Sequence, residues 1–186
     1  HMKLAPLRIL LITVLAPILN GCISHYQLRN LGDKPHASLN AASINGIYVN
    51  ISTNQSDSYS LWSKLKRCAS NKGDTLRVPE DARVKLEFDG DRKLKASLLK
   101  DTVTLRQITI QVHHDDSCVW TRRKLFLIPV PLLFYVYNED RAMLFNPSEN
   151  ELTLNYKANS FAMTLGAAGS SNIKESSRYL KLKPLK

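Results

Sequence analysis

Apolar and polar residues alternate with a period of two along most of this chain, and the alternation predicts a succession of short strands. In "ARVKLEFDGDRKLKASLL", Val84, Leu86 and Phe88 share one face. Asp89-Gly90-Asp91 supplies turn chemistry, and Leu94, Ala96 and Leu98 return, which predicts a β-hairpin. The pattern recurs in "ELTLNYKANSFAMTL", where Leu152, Leu154 and Tyr156 alternate, Lys157–Ser160 predict a looser turn, and Phe161, Met163 and Leu165 return. The first strand is predicted in "INGIYVNI", with Ile47, Val49 and Ile51 on one face. Between the hairpins the parity slips from Val103 and Leu105 to Ile108, Ile110 and Val112, which predicts a bulge near Arg106-Gln107. Strands are further predicted in "SCVWTRRKLFLIPVPLLFYVY", in "RAMLF" and in "RYLKLKPLK", where Leu180 and Leu182 lie on one side.

One segment follows a helical period instead. In "SDSYSLWSKLKRCASNKG", Leu61, Leu65 and Cys68 share a stripe with Trp62 and Ala69, Asp57 and Ser58 are the candidate caps, and Lys64, Lys66 and Arg67 suit the last turn. One helix near residues 57–69, with a core-facing stripe, joins nine or ten closely spaced short strands. The fold class is therefore mainly β: an antiparallel meander forming an open or closed barrel, with a two-sheet sandwich as the alternative.

The chain opens differently. Lys3 and Arg8 precede an apolar run, Ile9–Leu19, that rises only about 16 Å as a helix, half the hydrocarbon core of a bilayer. A basic start, a short apolar middle and small residues at its exit form a secretory signal. His1 ahead of Met2 reads as a cloning remnant. "LNGC" (Leu19, Asn20, Gly21, Cys22) resembles the lipobox of bacterial lipoproteins. The resemblance covers the first 22 residues. It implies that Cys22 is diacylglycerylated, that residues 1–21 are removed, and that the new amino terminus is acylated. In the enterobacterial sorting rule an Asp after the cysteine retains a lipoprotein in the inner membrane. Ile23 stands there instead, which implies an outer-membrane location facing the periplasm. Several acyl chains hold stably where one binds reversibly.

Residues 22–43 lack sustained periodicity and carry Gly, Pro, Asn and Ser, so they read as a lipidated N-terminus and flexible tether. Residues 44–186 read as a single β-rich domain. Removing residues 1–21 takes away two bases and no acid, and lowers the formal charge from +10 to +8. In an exported chain such a balance points to anionic lipid, not nucleic acid, when it exceeds the needs of solubility. With Cys22 assigned to lipid, Cys68 and Cys118 form an even pair in an oxidising compartment. The expected disulfide would close a loop of about 51 residues, worth roughly 4 kcal/mol on the chain-entropy account.

Candidate chemistry is sparse. "HHDD" (His113, His114, Asp115, Asp116) is dense in metal-capable groups. Neighbouring strand residues face opposite ways, however, and Asp-Asp-Ser is ordinary turn chemistry, so a turn is preferred to a metal or pH-sensitive site. No P-loop, G-x-S-x-G or H-E-x-x-H occurs. "GAAGSS" (Gly166–Ser171) reads as a connector, and Glu149 and Glu151 lie in a polar turn that would not desolvate them. The most unusual stretch is "KLFLIPVPLLFYVY". Pro129 and Pro131 forbid a helix or a central strand there, so it reads either as two buried strand ends meeting at a Pro-x-Pro corner or as an exposed apolar lip above the basic "TRRK". Arg122, Arg123, Lys124, Leu132, Leu133 and Phe134 are the candidates for lipid or partner contact.

These features predict a lipid-anchored outer-membrane lipoprotein acting as a non-enzymatic binding or envelope-assembly module, without cofactor or metal. Its expected partners are the membrane, through its acyl chains, and an anionic lipid or another envelope protein. The alternatives are a carrier or receptor for lipids or lipoproteins with an apolar cavity, and an envelope glycan hydrolase.

Overall fold

The computed structural model of the chain describes residues 25–31, 40–54, 59–69, 78–79, 81–122, 124–130, 134–164 and 167–182; at 25, 124–130, 134 and 135 it describes the backbone alone. A short helix α1 (His25–Arg29) and a 3-10 turn (Ala41–Ile44) lead into strand β1 (Gly46–Val49) and helix α2 (Leu61–Cys68). The strands that follow are β2 (Arg83–Phe88), β3 (Lys93–Lys100), β4 (Val103–His114), β5 (Val119–Thr121), β6 (Lys124–Val130), β7 (Phe134–Ser148), β8 (Glu151–Thr164) and β9 (Ala167–Leu182).

Every strand pairing is antiparallel, in the order β5-β4-β3-β2-β1-β9-β8-β7-β6, and a further β5–β7 pairing closes the ring. β5 and β6 pair with successive parts of β7. Trp120 faces Met143 and Lys124 faces Asp140, so the interval on the β5–β6 side is one residue longer than that on β7. The pair is thus one bulged strand, and the molecule is a closed barrel of eight antiparallel strands with one longer helix. Each strand neighbours its sequence neighbour, as a meander requires, and the ring is completed where Ile47 and Tyr48 meet Leu182 and Lys181.

Alternation places the core inside. Val84, Leu86, Leu94, Ala96, Leu98, Ile110 and Val112 are buried, whereas Arg83, Lys93, Lys95, Thr109 and Gln111 between them are exposed. A membrane-spanning barrel has the reverse polarity, so this wall faces water. The interior is occupied by a contiguous apolar cluster in which Tyr48, Tyr156 and Tyr179 are fully buried. Helix α2, capped by Ser60 and not by Asp57 or Ser58, packs Leu61, Trp62, Leu65 and Cys68 into that cluster from one end. The 3-10 turn closes the other end, where Asn146 Nδ2 donates to Ser43 O (3.2 Å) and Tyr48 Oη donates to Ile44 O (2.8 Å).

The predicted first hairpin forms. Asp89 Oδ1 accepts from the amides of Asp91 (3.0 Å) and Lys93 (3.1 Å) while Gly90 takes φ 82°, a conformation that costs a side-chain-bearing residue about 1 kcal/mol. The parity slip lies at Leu105, because Leu98 faces Arg106 and Leu99 faces Thr104.

Other expectations change. Lys157–Ser160 is no turn, since β8 runs unbroken from Glu151 to Thr164. Ala167–Ser171 is strand and not connector. Tyr48, not Ile47, Val49 or Ile51, is the core residue of β1, and Leu180 turns outward at 49% exposure while Tyr179 is buried. Residues 25–31, expected in a flexible tether, dock on the outer wall, where Leu28 is fully buried with Cys118, Met143 and Phe145.

β6, β7, β8 and β9 are longer than the barrel needs. Their far parts, Lys124–Val130, Phe134–Asp140, Asn159–Thr164 and Ala167–Asn172, continue as a four-stranded arm on the side where α2 sits. Along β8 burial ends at Ala158, and along β9 every residue from Ala167 to Asn172 is exposed. Seven strand residues span about 23 Å.

Candidate functional site

The arm and its base are built from the stretch that stood out as unusual in the sequence. Pro131 lies outside the described residues, and Lys124–Val130 forms an edge strand paired with Phe134–Asp140, a hairpin at the sheet margin. That is where a residue without an amide proton is tolerated: Pro129 sits in the edge strand β6. Lys124 and Phe134 are placed here by their backbones. Arg122 is exposed at the bulge, its amide donating to Gln111 O (2.9 Å). Arg123, Leu132 and Leu133 lie outside the described residues, as does Cys22.

Two buried polar connections fix α2 to the base of the arm. Lys64, without solvent exposure, places Nζ 2.8 Å from Glu175 Oε2 and also bonds Ser177 Oγ, both on β9. One turn on, Arg67 Nε donates to Asp140 Oδ1 (3.1 Å), which also accepts from Tyr156 Oη (2.5 Å). Burial, and then the Asp140 charge, push the Tyr156 hydroxyl far above its ordinary pKa, so it stays a donor. On the opposite face, fully buried Glu139 accepts from Tyr137 Oη (2.5 Å). Glu175 and Asp140 thus serve as struts between elements, whereas the Glu139–Tyr137 bond stays within β7.

Pattern reading missed this network because it placed Lys64 in the basic last turn of the helix. Its position three residues after Leu61 and next to Leu65 puts it on the core stripe, and that was the available signal.

The outer wall carries a row of basic residues at the base of the arm, of which Arg141 and Lys157 are buried. Arg141 faces Lys157 across β7–β8, and Lys157 faces Lys174 across β8–β9; Arg122 follows Thr121, whose Oγ1 accepts from Ala142 N (3.0 Å). Burial and then Lys174 lower the Lys157 pKa, while Glu139 opposes the shift. Lys157 Nζ donates to Gln27 Oε1 (2.8 Å), Asn155 Nδ2 donates to Leu28 O (3.0 Å), and Arg29 lies 4.0 Å from Asp115. Helix α1 therefore runs down the wall, its first residue toward the arm.

The predicted disulfide is absent. Cys68 belongs to the interior cluster and Cys118 to the outer one beneath α1, on opposite sides of the barrel wall, so no bond joins them. Burial, and then the neighbouring Asp115, push the Cys118 thiol up to about 12. His113 stacks on Trp120 (6.1 Å) while His114 meets Phe88 edge-on (5.3 Å), on opposite faces as strand alternation requires. Asp115 closes the turn, accepting from the amides of Ser117 (2.9 Å) and Cys118 (2.8 Å). Among the described residues no group of three or more metal-capable side chains comes together, and no helix is long and apolar enough to cross a membrane.

Comparison of the chain with models of protein families, with curated protein sequences and with solved structures finds no match.

Proposed function

We propose that this chain is a lipoprotein of the outer membrane, anchored through acyl chains on Cys22 and facing the periplasm, whose β-domain is a non-enzymatic binding or envelope-assembly module. The observation that carries the reading is the arm: four strands prolonged beyond a filled barrel, two of them from the most apolar stretch of the domain. A sheet held out from its own core is a surface built for contact. Lys64 with Glu175 and Arg67 with Asp140 are engaged in joining α2 to β9 and β7, which supports scaffolding over acid–base chemistry.

The carrier reading needs an apolar cavity. The interior positions that would line one hold Tyr48, Trp62, Leu65, Tyr156 and Tyr179, packed as one cluster, and this favours the binding module.

The anchor is tested by expressing the full chain in a Gram-negative host with an alkyne-tagged fatty acid. The wild-type chain should incorporate the tag and fractionate with outer membranes, and Cys22→Ser should remain uncut and untagged. Normal maturation of that variant removes the anchor. Saturable uptake of a fluorescent fatty acid by purified protein would replace the binding module with the carrier.

A further inference from the structure

Two sets of aliphatic residues that alternate like core faces lie side by side on the outside of the wall. Ile47 and Val49 on β1, with Ile51 just beyond it, neighbour Leu180 and Leu182 on β9. Ile47 faces Leu182 and Tyr48 faces Lys181, so Val49 and Leu180 come next in the same register. Tyr48 takes the interior position between Ile47 and Val49, which commits both of them to the outside. Ile51 is 56% exposed and Leu180 49%. On β2 and β3 the outward positions carry Arg83, Lys85, Glu87, Lys93 and Lys95 instead. Single apolar residues on a surface need no explanation, but five neighbours on two adjoining strands, set in a charged wall, form a patch.

The charges at its two margins differ in sign. Arg83 faces Val49 on the β2 side and Glu151 faces Leu180 on the β8 side, so one row across four strands reads Arg83, Val49, Leu180, Glu151. Lys85, opposite Ile47, lies on the first margin, and Glu149 precedes Glu151 on the second. Among the described residues neither Arg83 nor Glu151 has an ion pair. Three strand spacings, about 14 Å, hold them apart.

A two-fold axis running along the strands turns this row onto itself in reverse. Arg83 of each copy then meets Glu151 of the other, and aliphatic residues meet aliphatic residues. An axis across the strands would set Arg83 against Arg83, which like-charge repulsion disfavours. We propose that this face is where two copies of the chain meet, as an isologous dimer about the axis along the strands. The wall of a barrel is convex, so contact is confined to β1 and β9, while Arg83 and Glu151 reach over its margins on long side chains. Such an interface falls below the standard size of about 800 Å² per partner, and the dimer is accordingly weak and concentration-dependent. Arg178, the next outward residue of β9, lies at the rim, where solvent screens it from its symmetry mate. The contact covers the junction of two residue pairs that completes the ring, and it does not depend on the anchor at Cys22.

The full chain is solubilised in a density-matched detergent, and its mass is followed by sedimentation equilibrium from micromolar to millimolar concentration. The protein mass should rise from one chain toward two. Leu180→Asp should hold it at one chain, with the melting temperature of dilute protein unchanged. Arg83→Glu or Glu151→Arg alone should weaken the dimer about ten-fold, and the two together should return it to within about two-fold of wild type, because the swap re-forms both cross-copy pairs. A wild-type chain that stays at one copy throughout overturns the proposal and gives the patch to another occupant. A dimer untouched by Leu180→Asp, or a double swap no stronger than either single variant, overturns it as well.

Discussion

Lys64 and Glu175 face each other in the mouth of the barrel at 2.8 Å, joining α2 to β9 with no solvent reaching the lysine. Removing one member strands the other in a low-dielectric site, which costs far more than the net worth of the pair. Lys64→Met is expected to destabilise the protein by roughly 3–5 kcal/mol in urea titration, and the double variant with Glu175→Leu should recover most of that. A single variant as stable as the wild type would mean that the pair is solvated.

Asp140 is shared between Arg67 and Tyr156. Tyr156→Phe removes the shorter of its two bonds and leaves a buried carboxylate oxygen underserved, for a loss of about 1–3 kcal/mol. Thermal melts of Tyr156→Phe, alone and with Arg67→Ala, should show that the two losses are not additive, since both act through one carboxylate.

Cys68 and Cys118 lie in separate clusters, so reducing agent should leave the melting temperature unchanged, and both thiols should alkylate once the chain is unfolded. In the folded state a thiol pushed up to about 12 is ionised in only about one molecule in 10⁵ at neutral pH, so Cys118 should react slowly with a disulfide reagent. Leu28→Ala, which empties the contact beneath α1, should raise that rate at least ten-fold.

His113 predicts a pH dependence. Burial, and then Arg122, Arg141 and Arg92, hold its pKa below 6.5 in the folded state. The unfolded chain therefore takes up its proton first as pH falls. Stability declines from about pH 6.5 downward and levels off once folded His113 is also protonated. The melting temperature should fall between about pH 7.5 and 5.5, and His113→Gln should flatten that fall. A parallel decline in the variant would assign the effect to another group.

The strands of the water-facing wall were legible because each has one wet and one dry face: Val84, Leu86 and Phe88 against Leu94, Ala96 and Leu98 leave only one register that buries both sets. The prolonged strands were not. A residue such as Ser160 or Ala167 carries no periodic signal once its sheet leaves the core, so turn-like composition was read where β8 and β9 continue. At the seam, Ile47 and Val49 alternate as well as any core pair, but the two-residue junction with β9 turns Tyr48 inward, and only the closed ring decides that. The disulfide expectation counted thiols by compartment. The barrel wall between Cys68 and Cys118 is a tertiary fact that no spacing encodes. Of the site, the apolar hairpin and Arg122 were visible in sequence. The cross-strand row of Arg141, Lys157 and Lys174 became visible only once the register was known.

The placement of α1 also has a mechanical consequence. The ring is completed by only two residue pairs between β1 and β9, whereas β8 meets β9 along its full length. A pull on the chain ahead of His25, directed toward the arm, first loads α1 in shear along β7 and β8, the most extensively paired strands of the molecule. The β1–β9 junction feels the load only after Leu28 has been dragged from its contacts with Cys118 and Met143. Helix α1 thus acts as strain relief for that junction, while the equally short β5–β7 junction beside Leu28 takes the load first.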